Sequence, residues 1–305
     1  MEYLTLPTVC VILRVYVKQI IRRNEERMQR GSRYPKRYVD LHVHTSLSDG
    51  TNSVQEVLRF ACQKNLKAIS ITDHDCIDAY PLALELGGEL GIEVIPGVEL
   101  SSEIAGADIH ILGYFVDVRN AALNRKIQAM KDARYRRAKK IVKNLNRQGV
   151  DLRFETVLSI AGEGAIGRPH IATALLREEL VYSFKQAFED FLGYDCPAYV
   201  EKLKLCPEEV FALIRNAGGV PVMAHPGVTG VDERLPEFMQ KGMVGIEVYH
   251  SEHTSAQEEK YLRFCKAHNL AYSGGSDYHN NNHLRSEIGS KRVSYAAVKS
   301  LKERR

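Results

Sequence analysis

Along residues 38–43 apolar and polar side chains alternate. Val39, Leu41 and Val43 fall on one face, and Asp40, His42 and His44 continue the other. The pattern predicts one short strand running into a loop, with Asp49 in the turn and Gly50 punctuating it. Helical spacing follows over 54–64, with Ser53 placed as its N-cap. Residues 68–72 read as a buried strand, 80–90 as a helix ended by Gly91, and 93–96 and 110–115 as further strands. From about residue 117 the alternation stops. Residues 120–148 read as one long helix dense in Lys and Arg, and helical sequence continues to about 190. Strands resume at 219–224, 245–249 and 270–275. Such a rhythm implies an α/β fold with parallel strands, helices outside, and chemistry gathered at the carboxyl ends of the strands. The predicted organisation is a body of 38–117 and 198–290, a helical insertion over 118–197 lying across one face, and a C-terminal tail at 291–305. Residues 1–37 look appended, with 8–26 spaced for a helix.

Composition sharpens this. The 305 residues carry a formal charge of +4, and 44% are hydrophobic, enough for a sizeable core. Residues 1–37 hold nine Lys and Arg against three Glu, so the extension is +6 and the remainder −2. That balance argues against a broad nucleic-acid-binding face on the body. The six cysteines are scattered with no C-x-x-C, which fits a reducing, cytoplasmic setting. No apolar run is long enough to span a membrane, and the N-terminus lacks the features of a signal peptide.

The candidate chemistry lies at the strand ends. Eleven histidines in a chain without Trp point toward metal binding, and six of them join carboxylates at predicted strand ends. The set is His42, His44, Asp49, His74, Glu99, His110, His225, Asp277 and His279. Histidine and carboxylate without thiolate favour Zn, Mn or Fe. Nine donors exceed what one ion takes and suit two or three divalent transition-metal ions, with a carboxylate such as Glu99 bridging. Such a cluster generates a nucleophile at neutral pH and stabilises both oxygens of a phosphoryl transfer.

The segments Asp40-Leu41-His42-Val43-His44, Thr72-Asp73-His74-Asp75, Pro96-Gly97-Val98-Glu99, His110-Ile111-Leu112-Gly113, Ala224-His225-Pro226 and Gly275-Ser276-Asp277-Tyr278-His279 resemble the PHP (polymerase and histidinol phosphatase) superfamily. The resemblance covers about 38–290. It implies a distorted (β/α)7 barrel of the PHP type with an inserted helical lid, and three metal ions. By motif, His42, His44, Glu99 and Asp277 would hold one ion, Glu99, His110 and His225 a second, and Asp49, His74 and His279 a third. Asp49 stands where some family members have histidine. Glu99, Asp277 and His279 are the catalytic candidates.

Within the insertion, Arg134-Tyr135-Arg136-Arg137-Ala138 and Gly167-Arg168-Pro169-His170-Ile171-Ala172 resemble the branch of nucleoside 3',5'-bisphosphate phosphatases, also described as 5'-to-3' exoribonucleases. A metal cluster cleaves a phosphate ester without choosing one, whereas arginine forks can hold a second phosphate. Arg134, Arg137 and Arg168 are the candidates for that task, with His253 as a further substrate contact and His170 as structural. The implied activity is metal-dependent hydrolysis of the 3'-phosphate of nucleoside 3',5'-bisphosphates or short 5'-phosphorylated oligonucleotides, by attack of a metal-bridging hydroxide. One rival is histidinol-phosphate hydrolysis, which needs no second anion site. Another is a non-catalytic module for nucleic acid or protein partners, whose mark would be lost ligands.

Overall fold

The computed structural model describes residues 38–104, 106–203, 205–280 and 286–305. The helix expected at 8–26 and the basic extension lie outside them.

β1 (Tyr38–Val43) is buried at every residue except Tyr38, on both faces of its alternation. A strand so placed is central, and its polar residues must serve one another or a ligand. It pairs parallel with β2 (Ala68–Ile71), which pairs parallel with β3 (Glu93–Val94). Between β1 and β2 runs α1 (Val54–Gln63). Its first turn is fixed by a capping box in which Ser53 and Glu56 satisfy each other's backbone N–H groups. Between β2 and β3 runs α2 (Tyr80–Leu90), ended by Gly91 at φ 65°.

β4 (Gly97–Ile104) and β5 (Ala107–Tyr114) form an antiparallel hairpin in full register, turned at Gly106. β6 (Val220–Met223) pairs antiparallel with β5, and β7 (Gly245–Tyr249) and β8 (Ala271–Gly274) follow in parallel. The uniformly parallel arrangement expected from the sequence therefore fails at β4–β5 and β5–β6. No helix separates β4 from β5, and a connection that short can only reverse the chain. In β4 Ser102 interrupts the apolar face shared by Val98, Leu100 and Ile104.

The strands lie in two sheets, ordered β3-β2-β1-β9 and β4-β5-β6-β7-β8, where β9 is Val293–Ser294. Isolated bridges Val43–Tyr278 and His74–Glu99 join the sheets at the rim that carries the histidines. Residues 291–305 are not a free tail. β9 pairs with β1, and α11 (Ala296–Lys302) buries Ala297, Val298 and Leu301 in the core beside Val39 and Leu41.

The intervening segment is helical: α3 (Ala121–Arg147), α4 (Phe154–Ala161), α5 (Arg168–Arg177) and α6 (Phe184–Ala187), the last running into a π turn at Phe188–Leu192. It has a core of its own, including Val142, Leu145, Leu152, Ile171, Leu175 and Leu192. Burying each such side chain contributes roughly 1.5–3 kcal/mol. The first turns of α3 belong elsewhere. Leu123, Ile127 and Met130 pack with Val98, Ile111 and the helix α7 (Pro207–Asn216) through Phe211 and Ile214. One rigid helix thus roots the segment in the sheet body. Short α8 (Pro226–Thr229) and α9 (Leu235–Lys241) precede β7, and α10 (Ser255–Ala267) links β7 to β8. Among the described residues no helix is long and apolar enough to cross a membrane.

Candidate metal centre

All nine residues singled out at the strand ends come together on one rim. His42 projects from β1, with His44 and Asp49 on the loop beyond it. His74 follows β2, Glu99 sits on β4, His110 on β5, and His225 follows β6. Asp277 and His279 follow β8. The convergence requires tight backbone. A Cβ on Gly275 would lie 2.3 Å from His42 N, so only glycine lets the chain after β8 pass so close to β1. His225 and Asp277 hold φ of 24° and 50°, in the region non-glycine residues avoid. Strain of that kind persists where the surroundings fix it, often at functional sites.

Two imidazole nitrogens face two carboxylates at close range. His42 Nε2 lies 3.1 Å from His44 Nε2, and each of these nitrogens lies 3.2 Å from both Glu99 Oε2 and Asp277 Oδ1. His42, His44 and Asp277 together offer one ion three donors, two imidazole nitrogens and a carboxylate oxygen. Glu99, fully buried, serves three more histidines. His74 Nδ1 is 3.1 Å from Oε2, while His110 Nδ1 and His225 Nε2 are 3.0 and 3.1 Å from Oε1. A third group gathers on Asp49, with His279 Nε2 at 3.2 Å, His44 Nδ1 at 3.8 Å and His74 Nε2 at 3.9 Å.

Not every polar atom of the rim finds a hydrogen bond. Asp49 Oδ1, His74 Nδ1 and His225 Nδ1 are buried and make none, although Glu99 and His279 lie within 3.2 Å of two of them. Buried polar atoms left in this way are costly unless a ligand satisfies them. Hard oxygen and imidazole donors facing one another around small gaps fit divalent cations.

Electrostatics agree. Burial alone would raise the carboxyls of Asp49, Glu99 and Asp277, but the surrounding histidines hold all three well below the usual range. Burial opposes charge on His44, yet Asp277 and Glu99 outweigh it and push the imidazole up to about 10. Burial takes His74 down to about 3. The rim is thus a set of anions that recruit positive charge, by proton or by metal.

Four further residues support the rim. Glu247, fully buried on β7, accepts from His42 Nδ1 at 2.9 Å and from the His225 backbone N–H at 2.9 Å. Because a carboxylate only accepts, the His42 proton sits on Nδ1 and the Nε2 lone pair faces the rim. Asp73 accepts from Ser48 Oγ at 2.6 Å, and Ser48 Oγ lies 3.3 Å from His44 Nδ1, which orients that ring likewise. His250 Nε2 lies 3.2 Å from Asp277 Oδ2. A glutamate set between Ile246 and Val248 in an apolar run was a legible signal; the others become visible only where the loops meet.

A cleft of about 200 Å³ opens beside the cluster. Asp49, His74 and His110 line one end; Arg134, Arg137, Arg168 and Lys202 line the other. The three arginines are therefore brought to the site, in different states. Arg134 is held by Asp75, with Nε and Nη2 at 2.7 and 2.6 Å from Oδ2, and its Nη2 donates to Ser101 Oγ at 2.9 Å. Arg137 donates from Nε to Val200 O at 2.7 Å. Arg168 donates to Leu192 O at 3.1 Å, with its guanidinium 4.7 Å from the centre of the Tyr194 ring. Lys202, on a loop with no periodic pattern, is paired with Asp108. His253 stands apart. Its Nδ1 donates to Val248 O at 2.9 Å, its Nε2 accepts from Gly227 N at 3.1 Å, and it does not line the cleft. His170 caps α5 by accepting from Gly167 N at 2.9 Å.

Residues 40–193 match the PHP domain family. The chain is 31% identical to a 5'-3' exoribonuclease of Haemophilus influenzae, over 80% of this chain and 90% of that one. It is 28% identical to a phosphoribosyl 1,2-cyclic phosphate 1,2-diphosphodiesterase of Eggerthella lenta, over 79% and 93%. It is 29% identical to a 3',5'-nucleoside bisphosphate phosphatase of Chromobacterium violaceum, over 79% and 87%. Among solved structures, a Bifidobacterium adolescentis chain assigned as a metal-dependent phosphoesterase superposes with a TM-score of 0.80 at 29% identity, covering 87% of this chain and 96% of that one.

Proposed function

The chain belongs to the PHP domain family of metal-dependent phosphoesterases, and we propose that it hydrolyses the 3'-phosphate ester of nucleoside 3',5'-bisphosphates or of short 5'-phosphorylated oligonucleotides. The observation that carries this is the two-ended cleft. One end is the anionic, histidine-rich rim. The other holds four cations, Arg134, Arg137, Arg168 and Lys202, against two carboxylates, Asp75 and Asp108, a balance of +2. That charge matches one phosphate monoester dianion. A substrate with two phosphates would use both ends; a monophosphate such as histidinol phosphate would leave the basic end idle.

In this reading His42, His44, Glu99 and Asp277 hold one ion, and Glu99 with His110 and His225, and Asp49 with His74 and His279, hold two more. Divalent ions of the Mn, Zn or Fe type bound there would supply Lewis acidity and a water that ionises near neutral pH. Arg137, Arg168 and Lys202 fix the remote phosphate, so that the scissile ester is presented in one orientation. Arg134 positions rather than binds, because Asp75 already occupies its fork. Glu99 and Asp277, each with its second oxygen engaged by histidine, keep the first oxygen fixed toward His42 and His44. Glu99, Asp277 and His279 remain the catalytic assignments.

We read the two sheets as parts of one distorted (β/α)7 barrel, supported by the bridges Val43–Tyr278 and His74–Glu99. The segment 118–197 is then its lid, supported by a separate core. The cytoplasmic setting read from the scattered cysteines belongs to the same proposal.

The test is phosphate release from adenosine 3',5'-bisphosphate, beside histidinol phosphate and a 1,2-cyclic phosphate, with Mn added after chelation. Turnover of the bisphosphate that returns only with metal is expected. Turnover of either other substrate alone would overturn the substrate and leave the phosphoesterase.

A further inference from the structure

The basic end of the cleft already contains an anion. Asp108 lies on β5 two residues before His110, on the same strand face, about 6.6 Å away along the strand. Its carboxylate faces the cleft. One oxygen is paired with the ammonium of Lys202; the other accepts from the Tyr194 hydroxyl and lies 3.8 Å from Arg168 Nη2. An ammonium, a phenol and a guanidinium therefore converge on one carboxylate, the donor set that would also suit a phosphate.

Two roles are open to such a residue. It can organise the donors, or it can compete for them. Arg168 does not need Asp108 for its place, since Leu192 O and the rings of Tyr194, Phe188 and Tyr199 hold it. Arg137 has Val200 O and the Tyr199 ring. Arg137 and Arg168 are thus anchored mainly by carbonyls and aromatic faces, which leave their positive charge uncompensated. Asp108, with Asp75, is what compensates it.

We propose that Asp108 is a resident counter-anion of this phosphate seat, holding Lys202 and Tyr194 until a substrate phosphate takes them over and reclaiming them when the product departs. It weakens the hold on any phosphate dianion and so favours release of the nucleoside 5'-monophosphate left after cleavage. The identity of that anion rests on the proposed substrate; the competition itself does not.

The experiment is calorimetric titration of chelated, metal-free full-length protein with adenosine 5'-monophosphate, comparing wild type, Asp108→Asn and Arg168→Ala. Asp108→Asn preserves the shape and removes one negative charge a few ångströms from the seat. It should bind the nucleotide about tenfold more tightly, whereas Arg168→Ala should bind it less tightly. Product inhibition of the metal-loaded variant should tighten in parallel. Unchanged or weaker binding by Asp108→Asn, with thermal melting showing a folded chain, would make Asp108 a scaffold and overturn the proposal. Bisphosphate turnover on the same preparations reports the substrate separately. No turnover, with the tighter binding present, would leave Asp108 assigned and the substrate wrong.

Discussion

His42 donates from Nδ1 to Glu247 at 2.9 Å, and the same carboxylate receives the His225 backbone N–H at 2.9 Å. One buried acid thus sets the tautomer of a histidine on β1 and pins the strained residue after β6. Glu247→Gln keeps the shape but loses the charge that makes the imidazole basic. Groups in this position typically alter metal affinity by about 10–100-fold. The expected outcome is a folded protein that surrenders metal to a chelator at lower concentration than wild type. Equal retention would show that the rim holds metal without help from β7.

Arg134 and Asp75 form the tie between α3 and the loop carrying His74. The carboxylate is nearly inaccessible, with a side-chain exposure of 2%. Removing one partner leaves an uncompensated charge and costs about 3 kcal/mol. Asp75→Ala and Arg134→Ala should each lower Tm by several degrees, and the double variant should lose less than their sum. Additive losses would mean that the two side chains act separately.

Arg168 should behave differently, since it holds carbonyl and aromatic partners rather than a buried carboxylate. Arg168→Ala is expected to leave Tm nearly unchanged and to raise KM for adenosine 3',5'-bisphosphate by about tenfold or more. Activity on p-nitrophenyl phosphate, which lacks a second phosphate, should change little. Equal losses on both substrates would assign Arg168 to structure.

The contrast between Arg134 and Arg168 marks how far sequence could reach. Period-two alternation places His42 on one face of β1 and continues it to His44, and the other candidate ligands lie within or just after apolar runs, so the rim is largely legible from residue order. The hairpin β4–β5 is less plain, because Ser102 interrupts the apolar face that Val98, Leu100 and Ile104 share, and the second half of β4 is fixed by pairing with β5. Lys202 is not legible, because it reaches the cleft from a loop held by tertiary contacts. The same holds for His253, whose ring nitrogens are taken by backbone of β7 and α8. Sequence spacing reports which face a residue occupies; it does not report which partner has already claimed its polar atoms. Residues 291–305 are hidden for a simpler reason: β9 is two residues long and α11 seven, too short for either period to establish itself.

The close passage of Gly275 offers the sharpest test of how backbone builds the rim. An added Cβ would meet His42 N at 2.3 Å, His42 Cβ at 2.5 Å and Asp40 Oδ1 at 2.8 Å, none of them the end of a flexible chain. The segment must move, and it carries Asp277 and His279. It is also tied to β1 by Asp277 N to His42 O and Ser276 N to Asp40 Oδ1, both 2.9 Å, so movement breaks bonds as well as ligand geometry. Overpacking of this kind costs about 1–3 kcal/mol. Gly275→Ala should therefore lower Tm modestly and lower bound metal severely, because it displaces Asp277, whose Oδ1 stands 3.2 Å from His42 Nε2 and His44 Nε2. Gly88→Ala, on α2 with nothing within 4 Å of its added Cβ, is the control and should raise Tm slightly. Metal per chain and Tm measured together decide the matter. Full metal content in Gly275→Ala would mean that the chain after β8 adjusts freely, and that its approach to β1 does not set the ligand geometry.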